Sequence, residues 1–208
     1  MAHLLHIDSS PLGDFSISRA LTAEYARDWH ASNRGGSIIT GDLYRTPLPP
    51  VDSAWIKAIH TPAAQRTIQD RAALTTSDEL ISEIRDADSF LFGVPMQDFA
   101  VPATLKLWID QIVWPGETFR YGEHGPVGLL TGKTAIVIMS SGGVYGPDDA
   151  SQSTNFVEPY LRTILGSIGV TDVGFVAAGD AAAVSNGKIG RDAFLAPYVP
   201  AIHSRFAA

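Results

Sequence analysis

The chain has no cysteine among its 208 residues. Disulfides, thiolate catalysis and cysteine-held metal or iron–sulfur sites are thereby excluded, so any redox chemistry has to sit on a bound cofactor. Positive charge is also scarce: 15 Lys and Arg stand against 22 Asp and Glu, a net charge of −7, and no basic cluster offsets it. That balance argues against a nucleic-acid partner. No apolar run approaches ~18 residues, and the N-terminus enters a strand-like segment with no basic stretch or long apolar run before it, so no membrane partner is expected and the expected location is cytoplasmic. The six histidines show no metal spacing. His3 and His6 would point to opposite faces of a strand, and no metal site is expected. The glycine fingerprint of dinucleotide folds, the Gly-Lys-Ser/Thr of P-loops and the Gly-x-Ser-x-Gly elbow of hydrolases are missing as well. A receiver-type phosphotransfer domain would want paired acidic residues after the first strand, where Asp8 stands alone.

What is present reads as an α/β chain. Apolar residues make up 45% and charged residues 18%, a globular composition long enough for one domain, residues 1–208, with a sizeable core. Five apolar runs read as strands: His3–Ile7, Ser37–Thr40, Ser89–Val94, Thr134–Met139 and Asp172–Ala178. Helical periodicity falls between them, over Leu21, Tyr25 and Trp29, over Trp55, Ile56 and Ile59, over about 63–85, over Ala103–Val113 and over Phe156–Ile168. Within 63–85 a break is expected near Leu74-Thr75-Thr76-Ser77, with Ser77 capping a second helix whose first turn holds Asp78 and Glu79. Residues 114–133 form a glycine-punctuated excursion that brings Trp114, Phe119 and Tyr121 close together, either as packing or as a platform for a flat ligand. The tail carries a weaker helix from about Gly190, interrupted at Pro197 and Pro200.

Strands alternating with helices, joined by right-handed crossovers, point to a doubly wound five-stranded parallel sheet of order 2-1-3-4-5 with helices on both faces. In that order the first, third and fourth strands are neighbours, and the loops at their C-terminal ends converge at the switch point. The first loop holds Ser9, Ser10, Ser16 and Ser18 at a helix N-terminus, where free N–H groups and the helix dipole favour an anion; one serine is equally an ordinary N-cap. The loop after the third strand, Pro95 to Pro102, is held between two prolines. The loop after the fourth, Ser140-Ser141-Gly142-Gly143, permits close backbone approach to a ligand, although Gly-Gly is also a common turn.

Ser9-Ser10, Ser16-Ile17-Ser18, Pro95-Met96-Gln97-Asp98-Phe99, Pro102, Leu105-Lys106, Thr118-Phe119-Arg120-Tyr121, Gly132-Lys133 and Ser140-Ser141-Gly142-Gly143 together resemble the FMN-dependent NADH-azoreductases, which are flavodoxin-like quinone reductases. Leu165 to Val173 extends the similarity, which covers nearly the whole chain. The resemblance implies FMN, with Ser10, Ser16, Ile17 and Ser18 on the phosphate, Pro95, Met96, Gln97, Asp98 and Phe99 along the isoalloxazine, and Ser140, Ser141, Gly142 and Gly143 flanking its other polar edge. Phe99, Phe119 and Tyr121 would form the substrate pocket. It further implies NADH or NADPH as donor, a quinone or azo compound as acceptor, ping-pong kinetics from one shared pocket, and a homodimer with the flavin near the interface. No catalytic side chain is implied, because the cofactor carries the chemistry. The alternative is a flavodoxin-like FMN-binding electron carrier without nicotinamide-dependent activity, in which the aromatic excursion would be idle. The chain departs from the family where an aromatic and then Asn are usual and Gln97 and Asp98 stand. A carboxylate near a ring that becomes anionic on reduction is unfavourable, so the Asp98 side chain is expected to point away from it.

Overall fold

The apolar runs pair in register as parallel strands. In the computed structural model, which describes residues 1–146 and 149–205, the chain begins with β1 (His3–Asp8), α1 (Ile17–Ser32), β2 (Ser37–Asp42), α2 (Ser53–His60), α3 (Ile68–Asp86), β3 (Ser89–Pro95) and α4 (Ala103–Ile112). It continues through β4 (Phe119–Gly122), β5 (Gly125–Gly128), β6 (Thr134–Ser140), α5 (Val157–Ser167) and β7 (Asp172–Ala178), and ends in three short helices, α6 (Ala182–Ser185), α7 (Arg191–Leu195) and α8 (Val199–His203). The sheet order is β2-β1-β3-β6-β7, with every pair parallel. Counting only these five strands, this is the 2-1-3-4-5 order expected from the sequence.

Alternate strand residues feed separate cores, as the period of two in a strand requires. Leu5, Ile7, Phe90, Phe92, Val94, Val137 and Met139 join Leu74, Ile81 and Ile84 of α3, Leu105, Trp108 and Ile112 of α4, and Leu161 and Leu165 of α5. Leu4, Leu91, Ile138 and Val176 join Leu21, Tyr25 and Trp29 of α1 together with Phe194 and Ile202 from the tail. Each such side chain, fully withdrawn from water, contributes roughly 1.5–3 kcal/mol. The close approach of β1 and β3 depends on Gly93: a Cβ there would lie 2.2 Å from Asp8 Oδ1.

Two expectations need correction. First, α3 runs unbroken through residues 74–77. Its N-terminus is a capping box in which Thr67 Oγ1 accepts from the Asp70 N–H and Asp70 accepts from the Thr67 N–H. Ser77, the expected cap, is buried in mid-helix, where its hydroxyl accepts from Trp55 Nε1 and donates to Gln111 Oε1. A polar residue inside a helix needs no helix end when neighbouring helices satisfy it. Second, part of the excursion after α4 is an antiparallel ribbon, β4 with β5, outside the five strands expected from the apolar runs. A Cβ on Gly128 would lie 2.0 Å from the Gly169 backbone nitrogen, so a glycine there lets the ribbon rest on the end of α5. Of the aromatics in this excursion, for which packing was one of the two alternatives, Trp114 belongs to the core, tilted against Trp55 at 6.3 Å, while Phe119 and Tyr121 pack edge to face with each other at 5.3 Å.

Candidate functional site

The loop from β1 into α1 is built by hydrogen bonds that its own residues dictate. Ser16 caps α1, its Oγ accepting from the Arg19 N–H at 3.2 Å and lying 3.2 Å from Ser18 Oγ. In the first turn of such a helix the N–H groups of Ile17 and Ser18 have no intrahelical acceptor, which leaves partial positive charge there. Ser10 Oγ accepts from the Leu12 N–H, and Ser9 Oγ donates to the Gly93 carbonyl, which ties this loop to β3. Arg19 reaches back with Nη2 to the Ser10 carbonyl and with Nη1 to Asp42 at 2.9 Å and Asp8 at 3.5 Å. Burial alone would lower the Arg19 pKa, but the bond to Asp42 and the charges of Asp8 and Asp42 hold it above its ordinary value. The Arg19 charge is thus spent on its two carboxylates.

The loop after β3 leaves the sheet beside the loop after β6, since the Met96 N–H donates to the Ser140 carbonyl at 2.7 Å. It then folds into a tight turn in which Gln97 and Ala100 exchange N–H···O bonds and Asp98 and Phe99 both have positive φ, 47° and 67°. The loop after β6 is tied in turn to the end of β7. Ser141 Oγ donates to the Gly143 carbonyl, the Ala181 N–H donates to the Ser141 carbonyl, and the Asp180 N–H to the Gly143 carbonyl.

A cavity of about 570 Å³ opens where these loops meet. Of the residues singled out in the sequence, Ser10, Ser16, Ile17, Pro95, Met96, Ser140, Ser141 and Gly142 line it. Ser18 is buried behind Ser16. Gln97 and Asp98 line a second cavity of about 550 Å³ with Val101, Lys106, Phe156 and Tyr160. Phe99 lines neither, is 48% exposed, and meets the Tyr145 ring edge to face at 6.2 Å. Gly143 sits beside the first cavity as the acceptor of Ser141. Phe119 is buried and Tyr121 exposed on the ribbon, and neither lines these two cavities.

The sequence reading missed Leu12 and Phe15 at the mouth and Ala181, Ala182, Val184, Ser185 and Arg191 along the far wall. The last five come from the segment after β7, whose composition carries no signal of a site. Among the described residues no group of three or more His, Cys, Asp or Glu is placed to hold a metal ion, and no helix is long and apolar enough to cross a membrane.

The profile of the flavodoxin-like fold family matches residues 2–198. A protein of Burkholderia lata named FMN-dependent NADH:quinone oxidoreductase 3 is 47% identical over 207 residues, 100% of both chains. The chain belongs to that flavodoxin-like family. Another relative, the FMN-dependent NADH:quinone oxidoreductase of Acidobacterium capsulatum, is 44% identical over 207 residues, again 100% of both. Among solved structures, an FMN-dependent NADH-azoreductase from Bacillus anthracis in complex with FMN superposes with a TM-score of 0.85 at 22% identity, covering 98% of this chain and 97% of that one. An azoreductase from Bacillus anthracis str. Sterne gives 0.84 at 22%, covering 98% and 100%. At such identity these two likenesses concern the fold, and the flavodoxin-like fold is what places the three loops side by side.

Proposed function

We propose that this chain is an FMN-dependent oxidoreductase that takes electrons from NADH or NADPH and passes them to quinones or azo compounds. The observation that carries the reading is one cavity, formed by the loops after β1, β3 and β6, with the N-terminus of a 16-residue helix and its buried serines at one end. That arrangement suits a ligand with an anionic terminus and a flat apolar body. The names of relatives at 44–47% identity over the full chain point the same way.

The residues present fit FMN. Ser10, Ser16 and Ser18 with the Ile17 N–H would hold the phosphate. Pro95 and Met96, continuing into Gln97, Asp98 and Phe99, would run along the ring, and Ser140 to Gly143 would face its polar edge. When bound there, FMN would supply two-electron redox chemistry between a reduced nicotinamide and the acceptor. The chain's part is to bind and orient, and no side chain is assigned as catalytic. Asp98 lines the neighbouring cavity, which supports the expectation that its carboxylate is turned from the ring. Phe99, Phe119 and Tyr121 are proposed to contact the acceptor. A single pocket serving donor and acceptor in turn implies ping-pong kinetics.

The same proposal takes residues 1–208 as one domain around a doubly wound sheet, supported by the family match over 2–198 and by a hydrophobic cluster on each set of strand residues. It includes a homodimer, supported by the exposed rings of Phe99 and Phe156, 48% and 56% exposed beside the second cavity. It places the enzyme in the cytoplasm, where reduced nicotinamides are available.

The test begins with the absorption spectrum of the purified chain with and without added FMN. Anaerobic NADH or NADPH is expected to bleach the flavin, and a quinone to restore the colour with steady nucleotide consumption. Flavin uptake without bleaching would favour the electron-carrier alternative, and no uptake would end the proposal.

A further inference from the structure

Arg191 opens α7, 175 residues from the serine loop, yet its Nη2 donates to the Ser16 carbonyl at 3.0 Å and its side chain lines the same cavity as Ser10, Ser16 and Ile17. That is its one hydrogen bond among the described residues, and its buried Nε has no partner. Asp14, Glu24 and Asp192 line an adjoining cavity that Arg191 and Ser16 also border, yet none of the three makes an ion pair with Arg191. Arg19, the other guanidinium near this loop, is already held by Asp8 and Asp42. A half-buried arginine without a counter-charge is unfavourable unless a ligand supplies one. Phe194, buried one turn further along α7 in the core that α1 also enters, keeps the arginine in place.

We propose that Arg191 is a phosphate-binding residue, whose guanidinium meets the phosphate monoester of FMN beside Ser16 and Ile17. This rests on the FMN reading given above and adds a cation to a site otherwise built from serines and N–H groups. In a chain of net charge −7, a dianionic ligand gains from a local positive group that no carboxylate has already neutralised.

The test compares FMN with riboflavin, which lacks the phosphate. Full-length wild type, Arg191→Gln and Arg191→Lys, each freed of flavin, are titrated with both ligands while flavin fluorescence is followed. In wild type FMN is expected to bind far more tightly than riboflavin. Arg191→Gln should weaken FMN by about 10- to 100-fold, the range of a charge-assisted hydrogen bond, and leave riboflavin within about twofold. Arg191→Lys, which keeps the charge but loses the planar fork, should fall between them. A purely structural clamp on Ser16 would weaken both ligands together, leave their ratio unchanged, and overturn the proposal. If Arg191→Gln does not fold, the ratio in Arg191→Lys decides, and a wild-type ratio there refutes the assignment. Failure of the wild type to take up either flavin would instead overturn the FMN reading, and this inference with it.

Discussion

The Phe156 N–H donates to the Phe99 carbonyl at 3.0 Å, so the turn after β3 is bonded to the residue that caps α5. Asp98 and Phe99, both at positive φ, occupy the central positions that type I′ turns give to Asn-Gly. A side chain in that region costs about 1–2 kcal/mol, less for Asp than for most residues. Asp98→Gly is therefore expected to raise stability by about 0.5 kcal/mol and Asp98→Ala to lower it by about 1 kcal/mol. Urea unfolding midpoints of the two variants settle the order, and an alanine variant as stable as the glycine one would contradict the strain.

Arg19 ties the Ser10 carbonyl of the cavity lining to Asp8 at the end of β1 and Asp42 at the end of β2. Removing it with Arg19→Met takes the guanidinium from Asp8, which is 3% exposed and keeps His6 Nε2 at 3.2 Å and the Thr22 hydroxyl beside it. Because Arg19 itself is partly exposed, the loss should be about 2–3 kcal/mol, somewhat below that of a fully buried pair. Denaturant titration of the variant against wild type measures it. A loss under about 0.5 kcal/mol would place the pair among ordinary surface contacts.

Ser77 links three elements by accepting from Trp55 Nε1 and donating to Gln111 Oε1, while Gln111 Nε2 donates to the Pro49 carbonyl. Ser77→Ala leaves a buried indole N–H and a buried amide oxygen unpaired. The expected cost is about 2 kcal/mol, although alanine is the better helix former. Thermal unfolding reports the loss, and a stabilised variant would show that the network is dispensable.

Asp70 supplies the acid dependence. Backbone and side-chain hydrogen bonds from Thr67, followed by the bond from Lys57, hold its carboxyl down to about 2. In the unfolded chain it titrates near about 4, so the unfolded state binds the proton first. The capping box thus contributes its full stability above about pH 4 and loses it as the pH falls towards about 2. Asp70→Asn should flatten the stability profile across that window. Unfolding midpoints of both proteins between about pH 2 and pH 6 check this, and parallel curves would exclude Asp70 as the source.

The five parallel strands, their order and the three convergent loops were legible from the residues, because apolar runs of strand length separated by helical periodicity leave few topologies. The serine loop and the Pro95 and Ser140 loops could be singled out for the same reason, since they end strands that must be neighbours. The turn at Asp98 and Phe99 was not legible, for Phe99 is not a usual left-handed residue, Asp98 adopts that region only on occasion, and the bonds of Gln97, Ala100 and Phe156 hold the turn there. Ser77 misled for a related reason. Its local signal is that of a cap, and the partners that let it stay inside a helix come from α2 and α4.

Local pattern, then, determined which segments became strands and helices and which loops would gather, since periodicity and chain connectivity act at short range. Only the tertiary structure decided that the segment after β7 completes the cavity wall and that Arg191 stands beside Ser16. Contacts between residues 175 apart leave no periodic trace in the chain, and arise only when the Phe194 core docks the tail against α1.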